Sequence, residues 1–299
     1  MPKYVSIQGF QGSFHEVAAR QYFGLEPALL PCATFGAVVA HVVGGTAEAG
    51  LMAMENSLAG SILPNYLLLE RHAVRVTGEV YLPIHQHLLV VPGTTLADVQ
   101  AVHSHPMALR QCGDFLDRYP HWKLVETDDT GHSAQLLAET RTPGVAVVAG
   151  AQAAAQFGLH ILAPAIHDDP HNYTRFLVLQ RAETAQPDPH ADKASLYFYA
   201  SHAPGSLAAV LTLVAARGLN LSKLQSCPRP SQPWHYGFHA DVEFDELAQL
   251  EALLVDLAPA TEELRVLGVY RRGRMNEAAA DPLAHHYDAR PQVAASFSI

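Results

Sequence analysis

The stretch Asp168-Asp169-Pro170-His171-Asn172-Tyr173-Thr174-Arg175-Phe176-Leu177-Val178-Leu179 changes character halfway along. Two Asp, a Pro and an Asn break any preceding element and read as a loop. Phe176 to Leu179 is an apolar run of strand length. Thr174 and Arg175 stand where the polar loop enters a buried strand, a place from which a hydroxyl and a guanidinium can be aimed into a cleft. In the ordinary alternative, Arg175 pairs with an Asp of its own loop and Thr174 merely suits a strand.

Upstream, strands and helices alternate. Residues 4–8 read as a buried strand, and Gly9 and Gly12 flank a turn. Ser13-x-x-Glu16 is a capping box that starts a helix at Phe14, with Gly24 as its stop. A Gly-containing turn before a helix N-terminus also suits an anion, although most capping boxes only start helices. Thr34 caps a helix to about Val43, and a strand from Gly50 to Met54 leads into Glu55-Asn56-Ser57-Leu58-Ala59-Gly60-Ser61. A helix follows from Pro64 to Arg71. In open α/β sheets ligands collect at the carboxyl ends of strands. Asn56 and Ser57 therefore either orient a polar substrate or cap the next helix.

The pattern repeats with two strands over 73–91, split by Pro83. Next come strand Val99–His103, one helix Pro106–Arg118, strand Trp122–Glu126 and helix His132–Glu139. Strand Val145–Val148, helix Ala151–Phe157 and strand Leu159–Leu162 complete the series. Ser104 falls at a strand end, Gln111 about two helical turns further on. Asp129-Thr130 caps a helix in the same manner. Two such α/β lobes imply a cleft, the default site for a small ligand.

The chain of 299 residues is long enough for two or three compact units, and 49% hydrophobic against 16% charged residues marks it as globular. A net charge of −10 argues against a nucleic-acid surface. No apolar run reaches the length of a membrane span, and only three residues precede the first strand, which leaves no room for a signal peptide. Cys32, Cys112 and Cys227 lack metal-ligand spacing and are too few for a disulfide framework; a reducing, cytoplasmic setting fits. Among the 18 His, the pairs His85-x-His87 and His103-x-His105 have no carboxylate or Cys cluster to complete a site, so no metal is assigned.

Four segments then converge: Gly12-Ser13-Phe14, Glu55-Asn56-Ser57 with Gly60-Ser61, Ser104-His105-Pro106 with Gln111-Cys112, and Asn172-Tyr173-Thr174-Arg175-Phe176. In this order they resemble the prephenate dehydratases, over roughly residues 4–271. The resemblance implies an α/β catalytic module of two lobes (1–182) like those of periplasmic binding proteins. It implies conversion of prephenate to phenylpyruvate in phenylalanine biosynthesis, with no metal or organic cofactor. It carries catalytic roles to Thr174, Arg175, Asn56, Ser104 and Gln111, and substrate binding to Ser13, Ser57, Thr130 and Phe176. His15 departs from the Ser or Thr usual in the family.

The chemistry fits those residue types. Loss of CO₂ and hydroxide aromatises the prephenate ring, so no nucleophile is needed. A Thr hydroxyl titrates too high for an efficient general acid, and Thr174 is expected to act as a placed hydrogen-bond donor. Arg175 suits a bidentate grip on a carboxylate. Asn56, Ser104 and Gln111 offer neutral donors to developing charge. Glu55 serves proton transfer, or else orients the turn or pairs with an Arg.

Residues 183–192 read as a Pro-containing linker. Beyond it, strand Ala194–Ala200, helix Pro204–Arg217, strands Leu221–Ser226 and Trp234–Val242, helix Glu246–Leu257 and strand Glu263–Tyr270 make a ferredoxin-like βαββαβ order. The segment 193–272 resembles an ACT regulatory domain. That resemblance implies L-phenylalanine as effector at Gly205, Ser206, Leu207, Gln225 and Ser226, and a homodimer or homotetramer. Where the family has Glu-Ser-Arg-Pro, this chain has Gln225-Ser226-Cys227-Pro228, losing both charges, and Arg229 lies two positions late. Residues 273–299 show no periodicity and read as a tail. Arogenate dehydratase and a non-catalytic amino-acid sensor are the competing readings; keeping Thr174-Arg175-Phe176 with Asn56, Ser104 and Gln111 disfavours the sensor.

Overall fold

The structure is a computed structural model that describes residues 2–186, 188–229 and 232–275. In chain order it runs β1 (Tyr4–Gln8), α1 (Phe14–Phe23), β2 (Ala28–Cys32), α2 (Phe35–Val43), β3 (Ala49–Asn56), β4 (Gly60–Ser61), α3 (Leu63–Arg71) and β5 (Val74–Pro83). There follow β6 (His87–Val90), β7 (Ala101–Ser104), α4 (Pro106–Arg110), α5 (Gly113–Leu116), β8 (Lys123–Glu126), α6 (Thr130–Thr140), β9 (Val145–Ala149), α7 (Ala151–Phe157) and β10 (His160–Ala163). The chain closes with β11 (Tyr173–Arg181), β12 (Lys193–Tyr199), α8 (Ser206–Ala216), β13 (Asn220–Pro228), β14 (Tyr236–Glu243), α9 (Leu247–Ala260) and β15 (Glu263–Tyr270). These elements form two compact units, one of residues up to 10, 14–82 and 173–275, the other of 11–13 and 83–172.

The first unit is built on one mixed sheet in the order β13-β14-β12-β15-β5-β11-β3-β1-β2, with β4 paired to β3. Strands β1, β2 and β3 are parallel, and β11 returns antiparallel to β3. Within this unit β12-α8-β13-β14-α9-β15 has the ferredoxin-like topology expected from the sequence. Its β12 alternates: Ala194, Leu196 and Phe198 join Val210 and Val214 of α8 and Leu250, Leu253 and Leu257 of α9 in one core. The opposite face carries Lys193, Ser195, Tyr197 and Tyr199, and these are buried as well. Strand β15 meets β5 at Gly268↔Val76, where a Cβ on Gly268 would stand 2.1 Å from the Val76 carbonyl oxygen. Only glycine allows that approach.

The second unit is a five-stranded sheet, β10-β6-β9-β7-β8. Leu88, Val102, Ala146 and Val148 pack with Leu109 and Leu116 in one cluster, while Leu89, Val147 and Ala149 pack with Ala134, Leu137 and Ala153 in another. Burial of both faces explains why these strands read as unbroken apolar runs.

Three local expectations change. Strand β2 was hidden by Pro31, which it tolerates as an edge strand beside β1. The helix expected over 106–118 is two short helices, because the Asp168 carboxylate accepts from the N–H groups of Gly113 and Asp114 and starts α5 afresh. The strand expected from Trp234 starts at Tyr236, since Trp234 takes a positive φ of 66°. The tail expected over 273–299 lies outside the described residues after Met275.

Candidate active site

Asn56 ends β3 and is the register partner of Thr174 in β11. Its side-chain carbonyl accepts from the backbone N–H groups of Leu58 (3.1 Å) and Ala59 (2.9 Å), an arrangement that fixes the turn after the strand. The amide nitrogen is thereby pointed across the ladder. It donates to the Tyr173 carbonyl and to the Thr174 hydroxyl, each at 3.1 Å. Ser57 tightens the same junction: its N–H donates to the Tyr173 carbonyl at 2.8 Å, and its hydroxyl accepts from the Tyr173 N–H at 2.9 Å. Thr174 Oγ1 receives a hydrogen bond and gives none to any described residue, so its own proton is available for donation.

The neighbour of Thr174 behaves differently from expectation. Arg175 is 6% exposed and pairs with neither Asp of its own loop. Its guanidinium reaches Glu79 of β5 at 2.7 Å, Asp241 of β14, and the Tyr270 hydroxyl at 3.2 Å. Lys193 Nζ shares Glu79 at 3.0 Å, Ser195 donates to Asp241 at 2.6 Å, and the Gly273 N–H also reaches Glu79, at 3.0 Å. Burial opposes the Arg175 charge, but Asp241, Tyr270 and Glu79 hold its pKa well above the ordinary value. Burial likewise opposes the Asp241 carboxylate, yet Arg175 and Lys193 keep it below the usual range. Two cations and two anions compensate each other inside this network. The expected bidentate grip of Arg175 on a substrate carboxylate is therefore corrected: its fork is already filled by protein carboxylates.

Glu55 sits opposite Arg175 in the ladder and pairs with a lysine rather than an arginine: Lys223 Nζ of β13 lies 2.6 Å from it and 2.8 Å from the Ser61 hydroxyl. Phe176 is corrected too. It is 1% exposed and packs edge-on against the His15 ring, centroids 5.0 Å apart, so it supports the strand from the interior. His15 also abuts Phe35, and its buried Nε2 has no partner; desolvation lowers its pKa to about 3.

In the second unit Ser104 is fully buried, and its hydroxyl donates to the Val148 carbonyl at 2.6 Å. Its proton serves the β7–β9 junction, which corrects its expected role as a donor to developing charge. Gln111 caps α4, and its carbonyl accepts from the Asp168 N–H at 2.8 Å. Ser13 and Thr130 come together: a Cβ on Gly131 would stand 3.0 Å from the Ser13 nitrogen, so the glycine lets the 11–13 segment lie against the start of α6. Asp129 caps that helix through the His132 N–H.

The expected effector residues separate. Gly205 takes φ +84° just before α8. Ser206 and Leu207 line a cavity of about 330 Å³ together with His202, Arg229, His235 and Phe238. Gln225 and Ser226 lie on β13 outside that lining, and the Gln225 amide donates to the Ser226 carbonyl. Arg229 pairs with Glu262 and covers the Tyr199 ring at 3.9 Å. Sequence reasoning missed Glu79, Lys193, Ser195, Lys223, Asp241 and Tyr270. The available signal was charge at alternate positions of strands whose other face is apolar, as in Ala240-Asp241-Val242-Glu243.

These features define a class: an α/β protein with a hydroxyl donor oriented by an amide at a strand junction, joined to a ferredoxin-like element. The family model for prephenate dehydratase matches residues 5–184. The chain is 31% identical over 274 residues to the bifunctional chorismate mutase/prephenate dehydratase of Escherichia coli K12, covering 89% of this chain and 70% of that protein. It is 36% identical to arogenate dehydratase/prephenate dehydratase 1 of Arabidopsis thaliana, over 77% of this chain and 58% of that one. Among solved structures, prephenate dehydratase from Arthrobacter aurescens in complex with L-Phe aligns with a TM-score of 0.80 at 27% identity, over 90% of each chain. The quorum-quenching acylase GqqA aligns with the same score at 31% identity, over 90% of this chain and 98% of that one. The chain belongs to the prephenate dehydratase family.

Proposed function

We infer that this protein converts prephenate to phenylpyruvate in phenylalanine biosynthesis. The ring carboxylate leaves as CO₂, its bonding pair completes the aromatic ring, and the ring hydroxyl departs, protonated, as water. The observation that carries the reading is the Asn56 amide directed at Thr174 Oγ1, which leaves the threonine proton free to meet the departing hydroxyl. A donor so placed stabilises charge as it develops, without having to titrate. No base among the described residues accepts the Thr174 proton, which favours a donor over a nucleophile. Ser13, Ser57, Thr130 and Gln111 are the side chains we assign to the substrate's polar groups.

Residues 193–272 form, in this reading, an ACT regulatory domain following the catalytic residues 1–182 and a linker at 183–192. The effector is L-phenylalanine, and the cavity lined by Ser206, Leu207 and Arg229 supports an amino acid whose carboxylate meets a guanidinium. ACT domains act in pairs, so we propose a homodimer or homotetramer, working in the cytoplasm. No helix among the described residues is long and apolar enough to cross a membrane.

Purified protein incubated with prephenate is expected to release phenylpyruvate. Arogenate, run in parallel, separates the second reading that the plant relatives favour: faster release of phenylalanine from arogenate would reassign the substrate. No turnover of either by folded protein would overturn the assignment.

A further inference from the structure

Four charged residues form a closed figure in the first unit. Arg175 and Glu55 face each other across the β11–β3 ladder. Asp241 and Lys223 face each other across the β14–β13 ladder. The ion pairs run from one ladder to the other, Arg175 to Asp241 and Lys223 to Glu55. Each ladder thus offers one cation and one anion, and each is answered by the opposite sign. The two residues on the catalytic ladder are the chain neighbours of Thr174 and Asn56.

We propose that Lys223 and Asp241 are positioning residues for the Asn56–Thr174 pair, acting through Glu55 and Arg175; the inference rests on the dehydratase reading above. Lys223 bonds Glu55 and Ser61, which are themselves register partners across β3 and β4. Its ammonium closes the hairpin whose turn orients the Asn56 amide. Asp241 holds the guanidinium one residue beyond Thr174, at the point where the register slips between Arg175 and Phe176. A bulge re-aims side chains and needs external support to hold one direction. Ser195 and Tyr270 supply further bonds to Asp241 and Arg175. A shift of β13 and β14 against β3 and β11 would move both partners of the reacting pair together. Phe238, which lines the cavity assigned to the effector, lies on β14 three residues before Asp241, so this figure is the route by which effector occupancy reaches the hydroxyl.

The test is steady-state kinetics of the full chain with prephenate. Lys223→Met removes the ammonium but leaves Glu55 partly exposed, so folding should survive. Its kcat should fall about tenfold or more with KM little changed, as misplacement of a reacting group predicts. Lys223→Arg should restore most of the rate, and phenylalanine should still bind to Lys223→Met by calorimetry while inhibiting it less. A folded Lys223→Met with wild-type kcat overturns the proposal. If that variant does not fold, Ser195→Ala decides by the same kcat and KM readout, since it loosens Asp241 without stranding a charge. A wild-type chain inert on prephenate would instead overturn the activity itself, a result distinguishable because it appears before any substitution.

Discussion

The side-chain amide of Asn56 donates to the hydroxyl of Thr174 at 3.1 Å, across a strand ladder in which the two residues are register partners. The direction of that bond matters more than its length. An amide N–H can only donate, so the threonine oxygen accepts and its proton is turned outward. The carbonyl of the same amide is held by Leu58 and Ala59, which prevents the group from flipping.

Asn56→Asp should reverse the bond while keeping the turn, because a carboxylate still accepts from Leu58 and Ala59. It would also accept the Thr174 proton and withdraw it from the substrate. Kinetics should show kcat reduced by about 10²–10³, the usual loss for one oriented donor, with KM changed far less. A variant with kcat within a factor of about two of wild type would contradict this reading of the bond.

Arg175→Met would leave Glu79 and Asp241 buried with too little positive charge. Breaking a buried pair in this way costs about 3–5 kcal/mol. Urea titration should show that loss, and Arg175→Lys, which keeps the charge but not the fork, should lose less. Unchanged stability of Arg175→Met would mean that the network is not a structural unit.

Local patterning made much of the fold legible. Thr34 caps α2 by accepting from the Ala37 N–H, and Asp129 caps α6, as their sequence neighbourhoods suggested. The strand read over Ala194–Ala200 forms as Lys193–Tyr199, but nothing in the local sequence showed that its polar face is buried. The break between α4 and α5 depends on Asp168, 55 residues away, and local propensity cannot show it. Arg175 meets Glu79 and Asp241, 96 and 66 residues distant, so the likeness that marked it as functional could not reveal that its partners are protein carboxylates. Asn56 and Ser57 at the end of one strand and Thr174 at the start of another were legible one by one, but their pairing across the ladder, 118 residues apart, was not.

Acid should destabilise the protein through two buried histidines. Burial lowers His15 to about 3; burial, opposed by Asp241 and assisted by Arg265, lowers His239 to about 4. Both lie below the unfolded value of 6.5, so the unfolded chain binds protons that the folded chain refuses. Their stabilisation is complete above pH 6.5 and is lost as pH falls toward 4 and then 3. Each should add a slope of about 1.4 kcal/mol per pH unit within that window. Thermal or urea unfolding from pH 7 to 4.5 should show it, and His15→Ser should remove one histidine's share of the slope. An unaltered slope in that variant would place a charged or solvated imidazole at position 15.

The most direct measurement compares kcat for Thr174→Ser and Thr174→Ala with prephenate. Serine keeps a hydroxyl that can accept from Asn56 and donate to the leaving group, so it should retain most of the wild-type rate. Alanine removes the donor and should lose about 2–4 kcal/mol of transition-state stabilisation, seen in kcat more than in KM. A Thr174→Ala enzyme as fast as wild type would contradict the central claim that this hydroxyl assists the departure of water.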